Sequence, residues 1–425
     1  MRKGYRKLIA LFTGCVMMLT GCNGGDGAEE ETTTDNDGFS YVAVTDEEGN
    51  EVTDDEGNVV TTQVIEKVEQ EKELNVGFIY GGEIEGDVMA ETMETARLQA
   101  EKTLGANTYY IENVLVSQFA DACAKLIEEK DCNVIVACSP KFANSVKTEA
   151  DANKSVYYIS IGGESAAGNL ATFQGQMYQS AYVCGMVGAF NSNTNRLGIL
   201  ADITVLGCYS TVNGYIQGAK ELTELDTDVR LNWAWSTKDD EVKAAIDDLV
   251  SQGCDVIFTC SYSEYAIEYC EKIGVKVIGM SYRTPELAPT QYLTGCYYNF
   301  STYLVDMLRD VRYGTASANI YREGLAAGAV RVVDLNENCK EGTDKIASAM
   351  YQLVTENKAA IFAGEIKDKN GTVRVEKGTI LTHDEIWRIE WLDGCVNAAG
   401  DFTKPVTNPV AGDLTIVGEP LDQEE

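Results

Sequence analysis

Aromatic, hydroxyl, carboxylate and glycine residues recur at one kind of place in this chain, the point where an apolar run stops. Tyr80, Gly81 and Gly82 stand at such a point, as do Ser139, the trio Gly162, Gly163 and Glu164, and Asp202. Further along come Trp233 and Trp235, then Ser261 and Tyr262, then Ser281, Tyr282 and Arg283. Glycine lets a bound molecule approach the backbone, aromatic rings offer stacking faces, and hydroxyls and carboxylates make directional hydrogen bonds. The set suits noncovalent capture of a small, polar, ring-containing solute. It does not suit covalent catalysis. His383 is the only histidine, and between Thr382 and Asp384 it reads as an exposed residue at a helix start. No glycine-rich phosphate loop with its lysine occurs, so ATP hydrolysis belongs to another chain. No CxxC pair or metal-ligand spacing is present, and no cofactor or metal is expected. An acid–base pair drawn from Glu164, Asp202 or Glu365 is the weakest reading, for want of a nucleophile.

The elements that would hold these residues alternate regularly. From Leu74 the chain reads as strand Asn75–Tyr80, helix Asp87–Leu104, strand Asn107–Asn113, helix Gln118–Lys130, strand Asn133–Cys138, a helix to Ala150, and strand Val156–Ile161. The pattern then restarts with helix Met177–Asn191, strand Arg196–Asp202, helix Val212–Leu222, strand Val229–Trp235, helix Asp239–Gln252, strand Asp255–Cys260, helix Tyr262–Ile273 and strand Lys276–Ser281. Uniformly apolar strands between amphipathic helices predict parallel sheets covered on both faces. Ligands in such sheets sit at the carboxyl ends of the strands. Two doubly wound α/β halves predict two lobes with a cleft between them. Several strand-end residues keep two readings. Tyr80 faces the cleft or a helix, Ser139 contacts ligand or caps a helix, and Arg283 meets a ligand or pairs between lobes. Trp233 and Trp235 share one side of a strand and either stack on a ligand or pack under a helix. Trp387 and Trp391, four apart, read as one helical face packed on the core.

The start of the chain has a different character. Arg2, Lys3, Arg6 and Lys7 precede a short apolar run, Leu8 to Leu19, which is too short to span a bilayer. Leu19-Thr20-Gly21-Cys22 follows and resembles the lipobox of bacterial lipoproteins, which makes residues 1–21 a signal and Cys22 the lipidated residue. Two acyl chains suffice for stable anchoring at the membrane. Residues 22–73 read as a solvated acidic spacer, with the unit VTDEEGNE at Val44–Glu51 nearly repeated as VTDDEGNV at Val52–Val59. Lys and Arg number 34 against 67 Asp and Glu, a formal net charge of −33, and losing the signal makes the balance more negative. Such a surface repels nucleic acid, which is excluded as a partner. Of thirteen cysteines, eleven lie beyond Cys22. Export would permit pairing, but the apolar settings of Cys123, Cys138, Cys184, Cys254 and Cys260 favour free, buried thiols.

Several stretches are similar to the basic membrane protein (BMP) family of substrate-binding lipoproteins of ABC importers, in its Med-like branch. They are YIENV (Tyr110–Val114), NLATFQGQMYQSAYVCGMVGAF (Asn169–Phe190), GYIQGAK (Gly214–Lys220), YREGLAAGAVRV (Tyr321–Val332) and GEIKDKNGTVRVEKGTILT (Gly364–Thr382), with Trp235 ahead of Glu241 at the family's spacing. The resemblance covers about Leu74 to Val396. It implies a type I periplasmic-binding-protein-like fold, with lobe one about 74–172 plus 298–320, lobe two about 173–297 plus part of the C-terminal region, and a multi-strand hinge. It also implies capture of a solute by cleft closure, a purine nucleoside or nucleobase being the expected class, and permease subunits as partners. A ligand sensor that signals to a membrane partner is the alternative. The sequence departs from the family pattern at Ser281, where a ribose-gripping carboxylate is expected, and at Met89, where the family often has Trp. Glu83, Glu85 or Asp87 would then keep the polar role in lobe one. The expected ligand contacts are Tyr80, Gly81, Glu85, Asp87, Ser139, Gly163, Trp235, Tyr262, Ser281 and Tyr282.

Overall fold

A computed structural model describes residues 33–34, 40–43, 53, 61–63, 73–201, 207–222, 228–234, 238–398 and 411–420. The signal, Cys22, Asp202 and Trp235 lie outside the described residues. The chain divides into two units, Met1–Glu69 and Gln70–Glu425. In the first, strands Thr33–Thr34, Ser40–Ala43 and Thr61–Gln63 form an antiparallel sheet. The composition of this region predicts a spacer without secondary structure. The strands form where Tyr, Val and Thr, the residues that favour extended backbone, interrupt the acidic text.

The second unit contains two parallel sheets. The first is built from β1 (Asn75–Ile79), β2 (Asn107–Ile111), β3 (Val134–Ala137), β4 (Tyr157–Ile161) and β5 (Leu170–Phe173). Helices α1 (Val88–Leu104), α2 (Phe119–Lys130) and α3 (Ala143–Ala152) connect them. The chain leaves through α4 (Met177–Asn191) for the second sheet: β6 (Arg196–Ala201), α5 (Cys208–Leu222), β7 (Asp228–Trp233), α6 (Asp239–Ser251), β8 (Val256–Cys260), α7 (Glu264–Ile273), β9 (Lys276–Gly279), α8 (Thr284–Leu287) and β10 (Tyr292–Tyr298). Helix α9 (Phe300–Arg312) and strand β11 (Ile320–Tyr321) return to the first sheet, and β12 (Val330–Val332) rejoins the second. After α10 (Thr343–Thr355) come hairpin strands β13 (Ile366–Lys367) and β14 (Val373–Val375), the short α11 (His383–Trp387) and β15 (Val396–Ala398).

The sheet orders are β11-β5-β4-β3-β1-β2 and β12-β10-β9-β8-β6-β7-β15. Every pairing in them is parallel except β12 on β10. The strands are apolar because both faces of each sheet are covered. Val76, Phe78 and Tyr80 pack under α1 and α9, whereas Ile79, Ile135 and Ala137 pack against α2 and α3. The second sheet is likewise covered by α4 and α5 on one face and α6 and α7 on the other. Helix α4 is buried on nearly all sides, so no polar stripe marks it. It lies against α5 at backbone contact distance. A Cβ on Gly185 would sit 1.9 Å from the Tyr215 carbonyl oxygen, and one on Gly218 would sit 1.9 Å from that of Tyr182.

Three crossings join the lobes: Phe173–Met177, Tyr298–Phe300 and Tyr321–Val330. Buried glutamines brace them. The Gln174 amide donates to the Gly163 carbonyl and accepts from Arg322 Nε at 2.7 Å. Gln176 Nε2 donates to the Arg322 carbonyl at 2.8 Å, and Gln179 Oε1 accepts from Leu325 N–H at 2.9 Å. Residues 411–420 return to lobe one, where Val417 exchanges two 2.9 Å backbone hydrogen bonds with Tyr110. Eleven cysteines lie among the described residues, and eight of them are buried. No helix among the described residues is long and apolar enough to cross a membrane.

Candidate ligand-binding cleft

The carboxyl ends of the two sheets face each other across a cleft with two connected compartments. The larger encloses about 510 Å³, part of it open to solvent. Lobe one contributes Met89, Pro140, Gly162 and Phe173, and lobe two contributes Cys208, Thr211, Cys260, Tyr262 and Met280. Tyr298 enters from the hinge and Trp387 from the C-terminal segment. These side chains make a slot of thioethers and aromatic rings with few polar groups. The second compartment, about 430 Å³, shares Met89, Pro140 and Tyr262 and adds Gly81, Gly82, Asp87, Ser139 and Lys141. It supplies a carboxylate, a hydroxyl and an ammonium group beside the apolar slot.

Local sequence explains these placements. Asp87 is the N-cap of α1, its Oδ1 accepting from Met89 N–H and Ala90 N–H at 2.9 Å each. Burial pushes its carboxyl above the usual range, and the two N–H donors oppose that rise. Ser139 lies two residues past β3, and its Oγ accepts from Lys141 N–H at 3.4 Å. It therefore caps a helical turn and lines the cleft together, so its two readings are compatible. Gly162 adopts φ +79°, and a Cβ there would meet Pro140 at 3.0 Å. Only glycine fits that crowded, left-handed corner.

Of the expected contacts, Gly81, Asp87, Ser139 and Tyr262 line the cleft. Five others do not. Tyr80 lies in the lobe-one core beneath α1 and donates its hydroxyl to Glu94 Oε2 at 3.1 Å, because its side chain shares the face of Val76 and Phe78. Glu85 is exposed on the loop before α1. Gly163 is turned inward by the Gln174 hydrogen bond, leaving its neighbour Gly162 at the wall. Ser281 is consumed by its own turn, its Oγ accepting from Arg283 N–H at 3.1 Å and its carbonyl from Thr284 Oγ1 at 2.6 Å. Tyr282 sits outside the cleft wall, edge-on to Tyr297 and 3.4 Å from Thr95 Oγ1. Trp233 packs in the lobe-two core against Tyr209.

The pairing of Trp387 with Trp391 as one helical face is also corrected. A capping box between Thr382 and Glu385 starts α11, and the helix stops at Trp387. Trp391 then packs at the lobe-two core, while Trp387 enters the cleft. Phe173, Met280 and Tyr298 line the slot without having been singled out. The first and last are the residues where strands become hinge, a signal present in the FQG text at Phe173–Gly175.

The family model described as "ABC transporter substrate-binding protein PnrA-like" (Bmp) matches residues 73–370. The chain belongs to the Bmp family. It is 24% identical over 312 residues to the purine-binding protein of Brucella abortus, covering 72% of this chain and 88% of that one. It is 20% identical over 269 residues to the transcriptional activator protein Med of Bacillus subtilis, 63% of this chain and 80% of the relative. An ABC transporter solute-binding protein of Conexibacter woesei superimposes with a TM-score of 0.57 at 12% identity, over 67% of this chain and 97% of the other. That likeness shows the fold, the two-lobed type I periplasmic-binding architecture.

The mouth of the cleft is closed in this Bmp-family structure. Val88 N–H donates to the Tyr262 carbonyl at 2.9 Å, and Glu264 N–H to the Gly86 carbonyl at 3.2 Å. Beside them Arg283 Nη1 meets Glu91 Oε2 of lobe one at 2.7 Å and Glu264 Oε1 of lobe two at 3.0 Å. Burial, then the neighbouring Glu91 charge, raise the Glu264 carboxyl to about 7, with Glu268 adding to the rise and Arg283 opposing it. A carboxyl raised in the folded state contributes stability at low pH that is lost as pH climbs through its folded value. The melting temperature of wild-type protein relative to Glu264→Gln is therefore expected to fall between pH 5.5 and pH 8. The change should be a few degrees, corresponding to about 1 kcal/mol after allowance for solvent screening. A wild-type-minus-variant difference that stays flat across this range refutes the assignment.

Proposed function

We propose that this protein is an extracytoplasmic receptor, lipid-anchored through Cys22, that traps a purine nucleoside or nucleobase and presents it to ABC permease subunits. The observation that carries the reading is the junction of an aromatic and thioether slot with a compartment holding Asp87 and Ser139. A flat heterocycle fills the first by stacking and dispersion, and its polar substituents reach the second. The purine-binding relative supports the ligand class. Closure traps the ligand because both lobes touch it only when they meet, so binding shifts the population towards the closed form. The site captures its ligand unchanged, with ATP hydrolysis left to a separate subunit.

Thermal denaturation with adenosine, guanosine, adenine, hypoxanthine, sugars and amino acids tests this. At a concentration a hundredfold above its Kd, a bound purine is expected to add about 2.7 kcal/mol and raise the melting temperature by several degrees. Stabilisation by a sugar or amino acid and by no purine would sink the purine reading. Similarity to Med favours a second reading, in which the closed form signals to a membrane partner. Capture of permease subunits by the ligand-loaded protein, but not by the ligand-free one, distinguishes transport from signalling.

A further inference from the structure

The family match ends at residue 370, yet the cleft wall continues beyond it. The segment around α11 is tied to every part of the binding unit. Arg388 Nε reaches Glu164 Oε1 of lobe one at 2.7 Å. Asp384 pairs with Arg322 of the hinge at 2.6 Å, and His383 Nδ1 lies 2.8 Å from the Tyr178 hydroxyl. On lobe two, the Trp391 carbonyl accepts from Asn213 Nδ2 at 2.8 Å, and the buried Asp393 meets Lys220 at 2.8 Å. These ties fix Trp387 over Gly207, where the six-membered ring lies so close that a Cβ on Gly207 would meet Cζ3 at 3.0 Å. Trp387 lines the apolar compartment and also a neighbouring space of about 310 Å³ towards the hinge.

Its indole Nε1 is buried and has no acceptor within the protein. A buried donor left without a partner costs about 1–3 kcal/mol, and native structures leave few of them. Packing alone would be served as well by phenylalanine, which carries no such donor. We infer that Trp387 is a ligand-binding and specificity-determining residue, supplied from outside the family-matched region, whose indole N–H donates to an acceptor on the captured ring. This rests on the cleft being the solute site. The chemistry it selects is a planar heterocycle with an in-plane nitrogen or carbonyl acceptor, rather than a hydrocarbon ring or an open-chain solute.

The test is adenosine binding by calorimetry and tryptophan fluorescence on wild type, Trp387→Phe and Trp391→Phe, with melting temperatures checked in parallel. Trp387→Phe keeps an aromatic ring at this position but removes the five-membered ring that carries the donor. It is expected to bind adenosine about tenfold more weakly and to lose the ligand-induced fluorescence change. Trp391→Phe should keep both, since Trp391 packs away from the cleft. In wild type labelled with 5-fluorotryptophan, adenosine should displace the resonance that Trp387→Phe removes, a readout independent of the variant's affinity. If wild type binds adenosine while Trp387→Phe binds equally well and that resonance stays put, the role of Trp387 is overturned and the purine reading stands. If wild type binds none of adenosine, guanosine, adenine and hypoxanthine, the purine reading falls and the ring-acceptor contact falls with it.

Discussion

Gly218→Ala is expected to destabilise the protein by about 3–5 kcal/mol, one of the largest costs of any single methyl group in the chain. The added Cβ would lie 1.9 Å from the Tyr182 carbonyl oxygen and 2.7 Å from its carbon. Those atoms belong to the backbone of α4, which is buried on nearly all sides and cannot yield as a side-chain tip would. The contact is reciprocal, since Gly185 faces the Tyr215 carbonyl at 1.9 Å and Gly214 faces that of Tyr178 at 2.6 Å. Alanine's better helix propensity returns at most about 1 kcal/mol, so crowding wins. The melting temperature should drop by roughly 10 °C for a unit of this size. Gly105→Ala is the contrast. That residue caps α1 at φ +59° with nothing within 4 Å of a built Cβ, so only backbone strain of about 1 kcal/mol is expected. Equal melting of the two variants would show that α4 and α5 do not approach at backbone distance.

Arg283→Ala is expected to open the cleft. The guanidinium is the cation between Glu91 and Glu264, and without it two carboxylates from opposite lobes face each other at the mouth. Removing one partner from a partly buried charge cluster costs about 2–3 kcal/mol, most of it from the charges left behind. Because the cluster spans the lobes, the cost falls on the closed form, lowering its population relative to the open one by roughly 30- to 100-fold. Small-angle scattering of the ligand-free variant should show a larger radius of gyration than wild type at pH 8. Solute affinity should fall in proportion. Adding Glu264→Gln to Arg283→Ala removes one of the facing charges and should recover part of the loss. Scattering curves that superimpose for wild type and Arg283→Ala would rule out the latch.

Alternation of uniformly apolar strands with amphipathic helices was readable because parallel sheets bury both faces, and the register of helix α1 followed from its Asp87 cap and Gly105 stop. Helix α5 begins at Cys208, four residues before the apolar pattern that suggests it, because Ser210 and Thr211 donate to the Gly207 carbonyl and start the turn. The family resemblance named Asp87, and strand-end logic named Gly81, Ser139 and Tyr262, all of which line the cleft. Strand-end logic also named Tyr80, whose position at the end of β1 is right but whose side chain goes under a helix. Parity along a strand gives the face of the sheet; it does not say whether a helix already covers the strand end.

The sequence by itself determined the two doubly wound lobes and the apolar settings of the thiols, because each depends on periodicity or on residue type within a short span. Tertiary structure alone decided which groups meet across the cleft. Trp387 reaches the wall from more than two hundred residues beyond Pro140, carried there by ties to Glu164, Arg322 and Tyr178. Glu91, Glu264 and Arg283 become one charge cluster only when two lobes close. Contacts between distant segments depend on how rigid bodies dock, and no local pattern of residues encodes that distance.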